Sequence, residues 1–415
     1  MPENDRKPSL RFKGFNDAWE QRKLSALIVD GGSGGTPSTS NPNYYNGTIP
    51  FLSITDISNS DGYIFDTEKH INNEGLRSSA AWIVPAESIS LAMYASVGKV
   101  AILKENTATS QAFYNLVFDN STTRNIVFQI LKKKEINNEW MPVISTGTQA
   151  NLNAEKVRET VVAIPINIEE QKKISSLLFK LDSLITLHQR KYDKLVSVKK
   201  ALLDKMFPEN GNDVPKVRFK GFTDAWEQRK LGELGNTFTG LSGKSSSDFG
   251  HGSGRFVTYM NVFTNPIADT SRVEPIEIDK NQKEIQYGDI FFTTSSETPE
   301  EVGMSSIWLG NNENTYLNSF CFGFRPTFKF DPYYIAYLLR SDIVRQPMIL
   351  LAQGISRYNI SKTKAMDIEL SMPKIKEQEK IGAFLYYLDN LITLHQRKHE
   401  KLQNIKKALL SKMFA

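Results

Sequence analysis

From Glu169 to Phe207 the chain runs for 39 residues with no glycine and no internal proline, and this leaves little besides a helix open to it. Leu178, Leu181, Ile185, His188, Tyr192, Leu195, Lys199, Leu202 and Met206 follow one another in alternating steps of three and four. That spacing is a coiled-coil seam. At about 1.5 Å per residue the helix is roughly 58 Å long, and Pro208 stops it. A single apolar stripe of that length needs covering, and the chain carries a second copy. Lys376–Phe414 repeats the stretch 207 positions later, with 25 of 39 residues identical, LITLHQRK intact in both, and the seam Leu385, Leu388, Ile392, His395, His399, Leu402, Lys406, Leu409 and Met413.

The duplication also marks where each half begins. RFKGFNDAWEQRKL at 11–24 returns as RFKGFTDAWEQRKL at 218–231, again offset by 207. Phe12, Phe15 and Trp19, with Phe219, Phe222 and Trp226, read as core anchors at that aromatic spacing. The marks divide the chain into a first variable domain (1–168), a long helix (169–207), a linker (208–216), a second variable domain (217–375) and a second long helix (376–415). The linker is too short to let the second domain leave the far end of the first helix. The expected architecture is α+β: two mixed α/β variable domains separated by two long antiparallel coiled-coil helices in an internal pseudo-two-fold repeat.

Between the repeated ends the halves diverge. In the first, alternation and β-branched content bounded by turn signals predict strands at Pro50–Ile57, Ala81–Val84, Ser88–Tyr94, Lys99–Leu103, Ala112–Phe118 and Val157–Ile164. Thr123–Lys134 reads as helix, Gly31–Pro42 and Ser145–Asn153 as loops, and residues 1–9 as a disordered lead-in. The second half predicts a loop at Gly235–Gly254 and strands at Arg255–Phe263, Asp289–Thr294, Ser305–Leu309 and Ser319–Phe324. A helix at Asp331–Arg340 and a polar loop at Gly354–Ser361 follow.

Forty per cent hydrophobic and 23% charged residues are those of a globular protein. A net charge of +5 permits a nucleic-acid partner without demanding one. The single Cys321 excludes an internal disulfide and fits a reducing cytoplasm. The polar start MPENDRKPSL has no signal-peptide core, and no apolar run is long enough to span a membrane.

Catalytic signatures fail one by one. Gly243-Lys244-Ser245 lacks the glycine five residues earlier that a phosphate loop needs, since Phe238 stands there. Gly31–Gly35 lacks the spacing of a dinucleotide or adenosylmethionine loop. Asp331-Pro332-Tyr333-Tyr334 and Asn41-Pro42-Asn43-Tyr44 each miss the second proline of an amino-methyltransferase motif, and Asp331-Pro332 reads better as a helix start. The five histidines show no metal-ligand spacing, and His188 and His395 sit on the seam, where a polar residue sets register. No catalytic residue and no metal site is therefore expected. What is left for function is a pair of polar, basic and aromatic surfaces. In the first half the candidate DNA contacts are Arg77, Tyr94, Ser96, Lys99, Lys104, Thr148, Gln149 and Asn151. In the second they are Lys244, Arg255, Ser295, Ser296, Arg357, Tyr358 and Asn359. Arginine and amide side chains suit base edges, lysine and serine suit phosphates.

Two variable domains alternating with two near-identical helices resemble the specificity subunit of type I restriction–modification enzymes over essentially the whole chain. The residues that carry the resemblance most sharply are Glu170-Gln171…Ile174 and Glu377-Gln378…Ile381, each soon after Pro165 or Pro373, together with the loops Gly147–Asn153 and Gly354–Ser361. The resemblance implies that each variable region reads one half of a gapped, asymmetric site in double-stranded DNA, and that the helices act as spacer and docking surface. It implies two modification (methyltransferase) subunits using S-adenosylmethionine and two restriction subunits using ATP and Mg²⁺, none of these cofactors being held by this chain. Readers docked on one face of a duplex sit about one turn, roughly 34–36 Å, apart. Competing readings are a coiled-coil scaffold with sugar- or protein-binding ends, a stand-alone methyltransferase, and a non-specific DNA clamp.

Overall fold

The computed structural model describes residues 8–146, 150–209 and 212–414. The chain divides into two units, residues 1–190 with 396–415 and residues 191–395, so each unit contains a length of both long helices.

The first unit begins with β1 (Glu20–Lys23), β2 (Asp30–Gly32), β3 (Ile49–Leu52), α1 (Ile54–Asn59), β4 (Tyr63–Ile64), β5 (Lys69–Ile71) and α2 (Asn73–Arg77). It continues with β6 (Trp82–Val84), β7 (Ile89–Ala92), β8 (Val100–Leu103), β9 (Thr107–Thr109), β10 (Phe113–Val117) and α3 (Ser121–Ile136). Then come β11 (Ser145–Thr146), β12 (Ala150–Asn151), α4 (Ala154–Glu159), β13 (Val161–Ile164) and α5 (Ile168–Met206). Strands order as β2-β10-β7-β8-β4 in one sheet and β5-β3-β9-β6 in another. Side chains along a strand point alternately to opposite faces, and both faces of β7 and β8 are covered. Ile89, Leu91, Val100 and Ile102 meet a core shared with α3 and with Leu178 and Leu181 of α5. Ala92, Ala101 and Leu103 meet a second core with Leu52 and Phe113.

The second unit keeps the general plan, among the described residues without a counterpart of α2 and with two helices where the first has α3: β14 (Glu227–Lys230), β15 (Gly235–Thr239), β16 (Phe249–Val257), α6 (Tyr259–Thr264), β17 (Val273–Ile276), β18 (Ile290–Thr293) and β19 (Ser295–Ser296). Next are β20 (Ser305–Ile307), β21 (Thr315–Leu317), β22 (Cys321–Pro326), α7 (Pro332–Leu338), α8 (Asp342–Leu350), β23 (Tyr358–Asn359), α9 (Lys362–Ala365), β24 (Glu369–Met372) and α10 (Ile375–Met413). Its sheets order as β15-β22-β18-β20 and β17-β16-β21.

Several local expectations give way to capping chemistry. Pro50–Ile57 is a strand only to Leu52, because Ser53 and Asp56 form a reciprocal capping box that starts α1. Asn153 caps α4, which takes the first residues of the expected strand Val157–Ile164. Thr258 caps α6 and ends β16 at Val257, although Arg255–Phe263 reads as one β-branched and aromatic run. The expected loop Gly235–Gly254 contains β15 and the start of β16, and Ser145–Asn153 contains the short hairpin β11·β12. Asp331 accepts from the Tyr334 N–H, with Pro332 in the first turn of α7, as the helix-start reading has it. Ser9, expected in the lead-in, bonds through its hydroxyl to the Lys412 carbonyl.

The repeated segments at the two ends of each half meet. β1 and β14, both EQRK, pair antiparallel with β13 and β24, the strands just before the long helices. Arg11 sets its guanidinium on both oxygens of Glu170 at 2.8 and 2.7 Å, and Arg218 does the same to Glu377 at 2.6 and 2.8 Å. Gln171 donates to the Pro165 carbonyl and Gln378 to that of Pro373. Ile174 and Ile381 are buried. The Glu-Gln…Ile motif is thus a structural latch.

Within each unit the two long helices run antiparallel. In the first, Leu178 and Leu181 of α5 share a core with Leu402, Leu409, Leu410 and Met413 of α10, and the Lys406 ammonium meets the Asp182 carboxylate. In the second, Leu195 and Leu202 of α5 pack with Leu385 and Leu388 of α10, and Lys199 meets Asp389 at 2.5 Å. The two ion pairs exchange under the 207-residue offset, as do two backbone bonds, Leu10 N–H to Lys412 O and Val217 N–H to Lys205 O, both 2.9 Å. Of the remaining seam residues, Ile185, His188, Ile392 and His395 are half-buried.

Candidate nucleic-acid interface

In the first unit the turn between β7 and β8 carries Tyr94, Ser96 and Lys99. Ser96 adopts φ 54° and Gly98 φ 83°. A Cβ on Gly98 would lie 2.2 Å from the Trp140 ring, so this tight turn tolerates only glycine there. The Leu152 N–H donates to the Met93 carbonyl at 2.7 Å, which seats the β11·β12 hairpin, and with it Asn151, beside the start of this turn. Ser96 shares a hydrogen bond with the Ser58 hydroxyl and Lys99 donates to the Ser58 carbonyl. Thr148 and Gln149 lie outside the described residues.

The second unit builds the same arrangement from other residues. The Ile360 N–H donates to the Thr294 carbonyl at 3.0 Å, as Leu152 does to Met93. β19 pairs with β23 in the register Ser295↔Asn359 and Ser296↔Tyr358. Gln353 and Asn359 exchange two backbone bonds of 2.9 Å and close a hairpin over 353–359. A Cβ on Gly354 (φ 152°) would lie 2.0 Å from the Arg357 carbonyl, so the tip, too, depends on a glycine. Arg357 and Asn359 are exposed. Ser295 and Ser296 are buried floor residues, the Ser295 carbonyl accepting from Tyr259 and the Ser296 hydroxyl donating to Glu301. Beneath them Arg345, buried, donates to the carbonyls of Glu300, Val302 and Gly303 and pegs the loop that follows β19.

Four of the residues predicted from sequence fall elsewhere. Arg77 ends α2, beside the Pro42–Tyr45 turn. Lys104 lies at the other end of the β7·β8 hairpin on Glu87, which Arg124 also holds. Burial pushes the Glu87 carboxyl up, and the two cations outweigh this and leave it below its ordinary value. Lys244 reaches Asp279 at 2.8 Å. Bonds from Lys244, the Asn281 N–H and Gln282 draw the Asp279 carboxyl down to about 2. Arg255 donates to the carbonyls of Gly252 and Gly254 on its own strand, β16, at the centre of the three-stranded sheet. Sequence reasoning missed Ser58, Tyr259 and Arg345, which shape the two clusters from distant stretches that no local pattern connects to them. Among the described residues no group of side chains could hold a metal ion, and no helix is long and apolar enough to cross a membrane.

Fold and clusters together define a duplicated α+β protein in which a common framework presents two different surfaces. The model of the type I restriction modification DNA specificity domain matches residues 16–196 and again 223–404. The chain belongs to that family. It is 27% identical over 233 residues to the type I restriction enzyme MjaIX specificity subunit of Methanocaldococcus jannaschii, a match covering 52% of this chain and 51% of that protein. It thus spans about half the length of that relative. With the MjaVIII specificity subunit of the same organism it shares 23% identity over 313 residues, covering 69% of this chain and 68% of the relative. The crystal structure of the S subunit of a type I restriction-modification system from M. genitalium aligns over 99% of both chains with a TM-score of 0.58 and 16% identity, a likeness of fold.

Proposed function

We propose that this chain is the DNA-reading, non-catalytic subunit of a type I restriction–modification complex. Each unit reads one half of a bipartite, gapped site. The observation that carries the reading is the contrast between the two clusters. The bond that seats the hairpin recurs, Leu152 to Met93 and Ile360 to Thr294. The side chains displayed on it differ: Tyr94, Ser96, Lys99 and Asn151 in one unit, Arg357, Tyr358 and Asn359 in the other. A shared frame with unlike faces suits recognition of unlike half-sites, hence an asymmetric target. Arg357 and the amides of Asn151 and Asn359 have the donor and acceptor sets that pair with base edges, and Lys99 suits a phosphate. Arg77, Lys104, Lys244 and Arg255 lie outside the clusters, and their cationic side chains suit phosphate contacts, for which Lys104 and Lys244 would have to release Glu87 and Asp279.

In this reading the variable domains are residues 1–168 and 217–375. The long helices serve as spacer and as docking surface for methyltransferase subunits, which bring S-adenosylmethionine. Restriction subunits bring ATP and Mg²⁺, and the complex works in the cytoplasm. The test is a genome-wide map of methylated adenines in cells carrying this chain with its methyltransferase partner. A gapped two-part motif supports the reading. Methylation with no sequence preference, or a purified complex whose DNA affinity is indifferent to salt, sinks it.

A further inference from the structure

The hairpin at 353–359 in the second unit ends in a side chain that the fold does not use. Ile355 is 95% exposed, the most exposed of the large apolar residues among those described, and Leu350, just ahead of the hairpin, follows at 84%. Hairpin tips are ordinarily built from glycine, asparagine, aspartate or serine, and a β-branched residue there works against turn chemistry. Single exposed aliphatics are common, but this one stands on a rigid foot. The reciprocal Gln353–Asn359 bonds, the β19·β23 pairing and the buried Ile360 hold the base of the hairpin, and Gly354 fixes the bend. From Gln353 to Lys364 the only charged residues are Arg357, Lys362 and Lys364. Within its own segment the aliphatic tip is flanked by cations, with Glu297, Glu300 and Glu301 on the neighbouring loop after β19, and such a tip suits a groove whose rim is anionic and whose floor has an apolar spot.

We infer that Ile355 is a base-reading residue that packs on the 5-methyl group of a thymine in the major groove, in the half-site read by the second unit. The inference rests on the DNA-reading function proposed above. The major groove, about 12 Å wide, admits a two-stranded ribbon, and thymine is the base that presents a methyl group there. A branched aliphatic tip makes no hydrogen bond and so discriminates by that methyl alone, while Arg357 beside it can address a neighbouring guanine.

The test uses the complex of the full chain with its methyltransferase subunit and duplexes carrying the mapped site. Thymines in the half assigned to the second unit, by exchange of residues 217–375, are replaced one at a time by uracil. One replacement should weaken specific binding about three- to fivefold, the worth of one buried methyl. I355A should weaken binding to thymine DNA by a similar factor and add nothing on the uracil duplex. Because Ile355 is exposed, the variant leaves the fold intact. A half-site without thymine overturns the inference, as do an indifferent I355A and losses that multiply. Equal loss by I355A on both duplexes would assign the tip to a base step or to the backbone, and also overturns it. In each of these outcomes specific binding survives and the DNA-reading function stands. Absence of any sequence-specific binding sinks both.

Discussion

The ion pairs Lys406–Asp182 and Lys199–Asp389 are copies of one another in sequence and differ in environment, which allows a graded prediction. The Lys406 and Asp182 side chains are 10% and 11% exposed, and Asp182 also accepts from Gln129 at 3.1 Å. In the second unit Lys199 and Asp389 are 22% and 26% exposed, with Tyr337 donating to Asp389 at 2.7 Å. Removing one member of a buried pair leaves an uncompensated charge and costs about 3–5 kcal/mol. Breaking a partly solvated pair costs about 0.2–1 kcal/mol. At roughly 2–4 °C per kcal/mol for a unit of this size, K406M should lower the first unit's melting temperature by roughly 6–20 °C. K199M should lower the second unit's by no more than about 4 °C. D182N/K406M removes both charges, keeps an acceptor for Gln129, and should recover most of the loss. Calorimetry of the three variants measures this. Equal shifts in K406M and K199M, or a double variant no better than K406M, would refute the argument from burial.

Other consequences are more local. R11A strands Glu170, and R218A strands Glu377, both 1% exposed, so each should destabilise its unit by about 3–5 kcal/mol in urea unfolding, and nearly equally. R11K, lacking the planar fork that spans both carboxylate oxygens, should restore only part of it. Asp279 is held well below its unfolded value of 3.8. Its stabilising contribution is therefore complete above pH about 4 and is lost as pH falls through about 2. Carboxyl titration by NMR should show a midpoint near 2 that climbs toward 3.8 in K244A. R357A should cost about 1–3 kcal/mol of discrimination in one half-site and leave the other unchanged, measured by competition binding. Specific binding should weaken about 10³- to 10⁵-fold between 50 and 200 mM salt if the protein makes some six to ten phosphate contacts.

The large architecture was legible because it is written twice. An uninterrupted seam from Leu178 to Met206 and its copy from Leu385 to Met413 can be satisfied only by long helices that cover one another, and the copied EQRK strands mark where each unit closes. The strand ends were not legible. Ser53, Asn153 and Thr258 end or shorten strands through single side-chain bonds to backbone N–H groups, and β-branched residues on either side conceal the break. The two hairpin clusters were half legible. Polar loops at 145–153 and 354–361 marked the hairpins, but the partners that seat them, Met93 and Thr294, lie roughly sixty residues away in sequence, and such long-range pairing leaves no local signature. Lys244 and Lys104 looked like free cations, and only their placement against Asp279 and Glu87 shows them occupied.

The claim beneath all of this is that two unlike surfaces on one repeated frame act as separate readers. Its most direct measurement maps methylated adenines after residues 1–168 are replaced by the corresponding domain of another family member, the second unit's variable domain being kept. One half of the motif should change to that of the donor while the other half and its asymmetry persist. A motif altered in both halves, or in neither, would contradict the account.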